Sequence, residues 1–218
     1  MGTDTIRQII AGAKREESRS GILQNYFSEQ LPELSLRLLL PETHPAQRLV
    51  GFVEQYIDYV PEFIDSATTI SRRTKAYAYA APFLHIAEDY FLTPPDDLSQ
   101  ASGLLALLDE SFLAQRLLEE VNERHNHHFH QPLLPVDMMR ANIIVHHLIG
   151  DELANRLDSL VDHTVKRLVD REHLFEQQRY AEFQPQQAAA NAWQELPCLS
   201  RNADIELRLT AELSLSQA

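Results

Sequence analysis

The sequence predicts a mainly α-helical fold: a single-domain bundle of about six to eight helices with a minor β element near residues 33–40 and 204–216. Three observations carry this. Apolar residues recur three and four positions apart up to about residue 180. Glycine occurs only six times in 218 residues, which favours helices over a turn-rich β-sandwich. Two stretches at opposite ends of the chain alternate apolar and polar residues, the period of a half-buried strand. A hydrophobic content of 44% with 23% charged residues is that of a folded protein, and the length allows a substantial core.

The first helix begins near Asp4, with Ile6, Ile9, Ile10 and Ala13 on one face. Leu34, Leu36, Leu38 and Leu40 then alternate, predicting a short strand over 33–40. A helix follows Thr43-His44-Pro45, because proline suits a first turn, and its stripe is Leu49, Phe52, Val53, Tyr56 and Val60. Pro61 is expected to break or kink it, leaving 62–71 as a separate short helix. Residues 76–92 are apolar nearly all round, the mark of a helix in the middle of a bundle, with Pro82 kinking it or starting another. Pro94-Pro95 stops it. Two helices are expected at 97–109 and 111–127, the latter with Leu113, Leu117 and Val121 inward, and another at about 136–149 ending on Gly150. A long helix from Asp151 carries Leu153, Leu157, Leu160, Val161, Val165 and Leu168 on one side.

Residues 1–180 thus form the helical bundle domain, and 181–218 a connector followed by a β-forming tail. In that tail Ile205, Leu207, Leu209, Ala211, Leu213 and Leu215 alternate with polar residues. An uncovered strand edge is adhesive, so the tail is expected to pack on its own domain or on a neighbouring subunit.

The formal charge is −13, from 19 Lys and Arg against 32 Asp and Glu. Such a surface repels nucleic acid, and the compact basic patch Arg72-Arg73-Lys75 is too small to reverse it. Cys198 is the single cysteine, which points to a reducing compartment. Residues 1–13 carry no continuous apolar core, and the longest apolar runs fall short of the ~20 residues that span a bilayer. A cytoplasmic protein without a membrane partner is expected.

Histidine is the chemically suggestive residue. Of ten, six fall between His125 and His147: four in the run His125–His130, and the pair His146-His147 in an apolar segment. In the apolar helix at 76–92, His85, Glu88 and Asp89 can share one face. Buried charges need a partner, a metal or a shifted pKa. A further candidate is Glu119, Glu120, Glu123 and His127, with Glu120 at the edge of the Leu113–Leu117–Val121 stripe and Glu123 four residues before His127. With Glu152 just beyond Gly150, these suggest a mixed ligand set of His85, Glu88, Glu120, His147 and Glu152, of the kind that binds iron, manganese or zinc between helices. Against it, no glutamate stands three residues before a histidine, and no His-Glu-x-x-His occurs. The simpler reading makes His85 with Glu88 or Asp89 a hydrogen-bonded register lock, His146 and His147 core or interface residues, and the His125–His130 run a solvated helix end. The aromatic residues Tyr77, Tyr79, Phe83, Tyr90 and Phe91 are most simply core.

No phosphate loop, dinucleotide fingerprint or nucleophile elbow is present. Two functions from different classes follow. The first is a cytoplasmic protein acting by protein–protein interaction or homo-oligomerisation through its acidic surface and β-forming tail. The second is a non-haem metal-dependent oxidase or oxygenase of iron, manganese or di-iron type.

Overall fold

A computed structural model describes residues 2–73, 77–95, 102–129, 138–172 and 205–208. Among these, seven helices and a two-stranded antiparallel sheet form a mainly α bundle: α1 Gly2–Ser20, α2 Ile22–Arg37, β1 Leu38–Leu39, α3 Pro45–Arg73, α4 Tyr77–Leu92, α5 Leu104–Phe129, α6 Met139–Ile149, α7 Asp151–Glu172 and β2 Glu206–Leu207. No described helix is long and apolar enough to cross a membrane.

The first corner shows how sequence sets geometry. Asp4 in the first turn of α1 and Arg19 in its last complement the helix dipole. Gly21 takes a left-handed φ of 63°, which favours glycine, and turns the chain into α2. The first turn of α2 is then satisfied from the preceding helix. The buried Glu17 carboxylate accepts the backbone N–H groups of Leu23 at 2.9 Å and Gln24 at 3.1 Å. Along its length α1 is tied to α3 by Arg7 to Asp65 at 2.7 Å, Thr3 to Asp65 at 3.0 Å, and Lys14 to Asp58.

The centre belongs to α3 and α5. Tyr56, Ile57, Phe63 and Ile64 of α3 and Leu108, Phe112, Leu113 and Leu117 of α5 are almost wholly buried, and the remaining helices pack around them. Both are longer than the sequence pattern implied. The expected break at Pro61 does not occur, and α3 runs unbroken for 29 residues. Pro61 leaves the Ile57 carbonyl without its helical donor, while one residue earlier the Tyr56 carbonyl accepts Gln115 Nε2–H of α5 at 2.8 Å. A proline buried on this face is held by packing, and packing overrides propensity. Likewise the two helices expected at 97–109 and 111–127 are one, because no glycine or proline interrupts 104–129. Pro82 lies inside α4 without ending it.

Two other expectations change. The 76–92 segment is not wrapped on all sides. Ala80, Phe83, Leu84, Ala87 and Phe91 are buried, while Ala78, His85, Asp89 and Leu92 form an exposed stripe. The strand expected over 33–40 is helical as far as Arg37 and extended only at Leu38–Leu39. Within it, Leu34 and Leu38 are buried and Leu36 is exposed, so four-residue spacing decided the local structure.

The pairing of the two chain ends is intramolecular. Leu38 opposes Leu207 and Leu39 opposes Glu206, and the Arg208 N–H donates to the Arg37 carbonyl at 2.8 Å. Ile205 is buried, with its carbonyl held by Arg140 Nη2 at 3.1 Å. The rest of the expected tail, 209–216, the connector with Trp193 and Cys198, and His130 of the histidine run lie outside the described residues.

Candidate functional site

The site is built where α6 turns into α7. Gly150 adopts a φ of 87°, and its N–H donates to the His146 carbonyl at 3.1 Å while its own carbonyl accepts Ala154 N–H at 3.0 Å. This left-handed residue reverses the chain in one step. It thereby places the last turn of α6, with His146 and His147, against Asp151 in the first turn of α7. His146 Nε2 lies 3.4 Å from Asp151 Oδ1, and Arg37 Nη1 of α2 donates to the same carboxylate oxygen at 2.6 Å. Arg37 also approaches His147 Nδ1 at 3.4 Å. Burial, then the Arg37 guanidinium and His146, lower the His147 pKa below the ordinary histidine value, so its ring is neutral at pH 7. The hydrogen bond from Arg37 holds Asp151 below the usual carboxylate range.

Beside this turn, α5, α6 and α7 enclose a groove of about 420 Å³. One wall is apolar: Phe112 of α5 with Met139 and Ile143 of α6, which are 56% and 39% exposed. The other is polar and centred on Arg116. Its Nε donates to Asp158 of α7 at 2.8 Å and its Nη1 to Glu119 Oε2 at 2.5 Å. Burial works against this cation, but the two carboxylates outweigh it and raise the guanidinium pKa. The same Glu119 oxygen accepts Asn142 Nδ2–H at 2.5 Å, and Asn142 Oδ1 accepts the Tyr56 hydroxyl at 2.7 Å. A polar chain thus runs from the buried Tyr56 to the groove surface. Burial, followed by the Glu119 charge, pushes the Tyr56 phenol well up. His146 sits edge-on to Phe112 with ring centroids 6.4 Å apart, and its Nδ1 is 3.9 Å from Asp158.

Glu123 completes the lining. It is exposed and makes no hydrogen bond or salt bridge among the described residues. Partial burial, then the like charges of Glu119 and Glu120, raise its pKa. Three carboxylates, Glu119, Glu123 and Asp158, face one guanidinium, so acidic side chains outnumber Arg116 in the lining. Its described lining offers charge, hydrogen bonds and apolar contact, without a hydroxyl, thiol or amine nucleophile.

The five residues singled out as ligands occupy separate places. His85 is exposed on α4. Glu88 covers the start of α1, where a Cβ on Gly2 would lie 2.7 Å from its Cδ, so its charge faces the positive end of that helix. Glu120 accepts Arg124 Nε at 2.7 Å, and Arg124 also donates to Asp162 of α7 at 2.6 Å, which makes Glu120 part of an interhelix ion network. His147 lines the groove, and Glu152 is exposed in the first turn of α7. Among the described residues no three His, Cys, Asp or Glu side chains form a group able to hold a metal ion.

Sequence reasoning pointed to Glu119, Glu123 and the histidine pair and missed Arg116, Asn142 and Asp158. Asn142 carried a signal: it is the one amide among the apolar residues of α6, and a buried amide requires partners. Arg116 and Asp158 carried none, since each looks like an ordinary surface charge on its own helix.

Comparison with protein-family models, with curated proteins and with solved structures returned no match.

Proposed function

We propose that the protein is an interaction module that docks a partner in the groove between α5, α6 and α7. One observation carries this reading: a concave surface of about 420 Å³ that joins an exposed apolar wall, Met139 and Ile143, to an ordered array of charges around Arg116. Concave sites of this size with a few convergent polar groups are where ligands and partners bind. Residues 206–207 of the tail are taken up by β1 of the same chain, and the groove is therefore the docking surface of this reading. A cytoplasmic setting accompanies the reading: the lone Cys198 leaves no disulfide to form within the chain. The charge of −13 favours a protein partner over nucleic acid.

The test is site-specific photo-crosslinking in cells that make the protein. A crosslinking residue replaces Ile143 in one variant and Ile9 of α1 in another, the two positions being equally exposed at 39%. A discrete adduct from position 143 and none from position 9 is expected. No adduct from 143, or the same adducts from both, overturns the reading.

A further inference from the structure

Resting on that reading, we infer that the occupant of the groove is a basic amphipathic helical segment of a protein partner, its apolar side chains against Met139 and Ile143 and a lysine or arginine against Glu123 and Glu119. The charges demand a cation. Arg116 is spent within the fold, held by Asp158 and Glu119. Its positive charge therefore offers little to an incoming anion. Both donors to Glu119, Arg116 and Asn142, use Oε2, and Oε1 takes part in no hydrogen bond among the described residues. Glu123, one helical turn further along α5, has no salt-bridge partner there either. Two carboxylates four residues apart on one helix repel each other, and a cation between them relieves the repulsion.

The apolar wall decides what carries that cation. Met139 and Ile143 stand four residues apart on α6, so they present one ridge, and methionine adapts to varied partner surfaces. A helix laid in a groove between helices anchors through side chains of matching spacing. The volume suits a few such anchors rather than a whole helix. A free polyamine would satisfy the carboxylates and leave the ridge uncovered. A second copy of the chain would bring its own charge of −13.

Fluorescence anisotropy on the full chain tests this with a labelled synthetic Leu/Lys helix at neutral pH. The controls are a scrambled peptide of equal charge, the Leu/Glu counterpart, and spermine as competitor. The amphipathic peptide is expected to bind, the scrambled one about tenfold more weakly, and the Leu/Glu helix not at all. Glu123→Lys and Ile143→Glu should each weaken binding about tenfold, whereas Glu16→Lys on α1, an equal change of charge elsewhere, should weaken it less than about twofold. Equal binding of the scrambled peptide, or equal losses in Glu123→Lys and Glu16→Lys, reduces the effect to general charge attraction and overturns the inference. Full displacement by spermine at matched charge assigns the site to small amines and overturns it too. Failure of every basic probe alongside a discrete crosslink from position 143 overturns the partner class and leaves docking standing. Loss of that crosslink removes both.

Discussion

Replacing Arg116 by methionine isolates the charge that organises the groove. Methionine keeps most of the apolar stem, so the volume at this position changes little and the lost guanidinium dominates. Arg116 is 22% exposed, Glu119 12% and Asp158 33%. Removing one member of a buried pair costs about 3–5 kcal/mol because the other is left charged and dry. Here Asp158 lies near enough to water to be rehydrated, and Asn142 still donates to Glu119, so the expected loss is about 2–3 kcal/mol. For a chain of this size that lowers Tm by roughly 5–10 °C. A second substitution identifies the cause. Glu119→Gln in the Arg116→Met background removes the stranded charge while retaining an acceptor for Asn142, and should recover about 1–2 kcal/mol. In the wild type the same Glu119→Gln removes a partnered carboxylate and should destabilise. Urea unfolding followed by circular dichroism at neutral pH gives all four corners of the cycle. If the double variant is no more stable than Arg116→Met alone, Glu119 is not a charge held in place by Arg116, and the electrostatic account of the groove fails.

Three further outcomes are expected. Burial, then neighbouring Asp109, raises the Glu110 pKa to about 7, and its Oε2 has no hydrogen-bond partner. The unfolded chain therefore releases this proton near 4.5 and the folded chain near 7, so stability falls across that interval as pH rises. Glu110→Gln should be more stable than wild type above pH 7 by about 1–2 kcal/mol after allowance for partial exposure, and indistinguishable below 4.5, by urea unfolding at both ends. His147, lowered by burial and then by Arg37, should titrate by NMR below a free histidine and move upward in Arg37→Gln. The unfolded chain then takes up the proton first as pH falls, so this histidine lowers stability on the acid side; a His147 midpoint unmoved by Arg37→Gln refutes the coupling. Ile205→Ala should cost about 2–4 kcal/mol through the cavity it leaves, and a chain ending at Ala203 should melt earlier while keeping its oligomeric state by light scattering. A change of oligomeric state on truncation would assign the tail to assembly.

The class of fold and the presence of a minor β element at the two ends of the chain were legible because both rest on periodicity, which is a property of short windows; whether the tail pairs within the chain or with a neighbour was not. Leu207 and Leu38, from the two alternating stretches, oppose each other in the structure. Boundaries were less legible. Pro61 and Pro82 looked like interruptions, yet each lies inside a continuous helix whose surroundings fix the backbone, and no local window contains those surroundings. The candidate ligands failed to converge for a related reason. His85 and Glu88 sit three residues apart on α4, but helix rotation turns His85 outward and carries Glu88 towards α1. Composition marked 76–92 as a segment to be enclosed, whereas tertiary packing encloses only one side of it. Arg116 and Asp158 are 42 residues apart and belong together only because Gly150 reverses the chain between α6 and α7.

That reversal has a consequence for binding. The polar chain from Tyr56 through Asn142 and Glu119 to Arg116 and Asp158 links α3, α6, α5 and α7 by hydrogen bonds of 2.5–2.8 Å. Each member is fixed by the next, so Glu119 and Asp158 are ordered before anything docks. A partner then loses little free energy to arranging the groove and gains most from the groups the fold has left unsatisfied. Glu123 is that group on the polar wall, and Met139 and Ile143 are its counterparts on the apolar one. Substitutions inside the chain should thus act mainly on stability, and substitutions at these three rim positions mainly on affinity. Measuring both quantities in Asn142→Leu and Glu123→Gln separates the two roles. Asn142→Leu should lower Tm and weaken the amphipathic peptide only in proportion to misfolding, while Glu123→Gln should leave Tm within about 2 °C and weaken the peptide directly. Equal effects on both quantities in both variants would mean that the groove has no division between frame and contact surface.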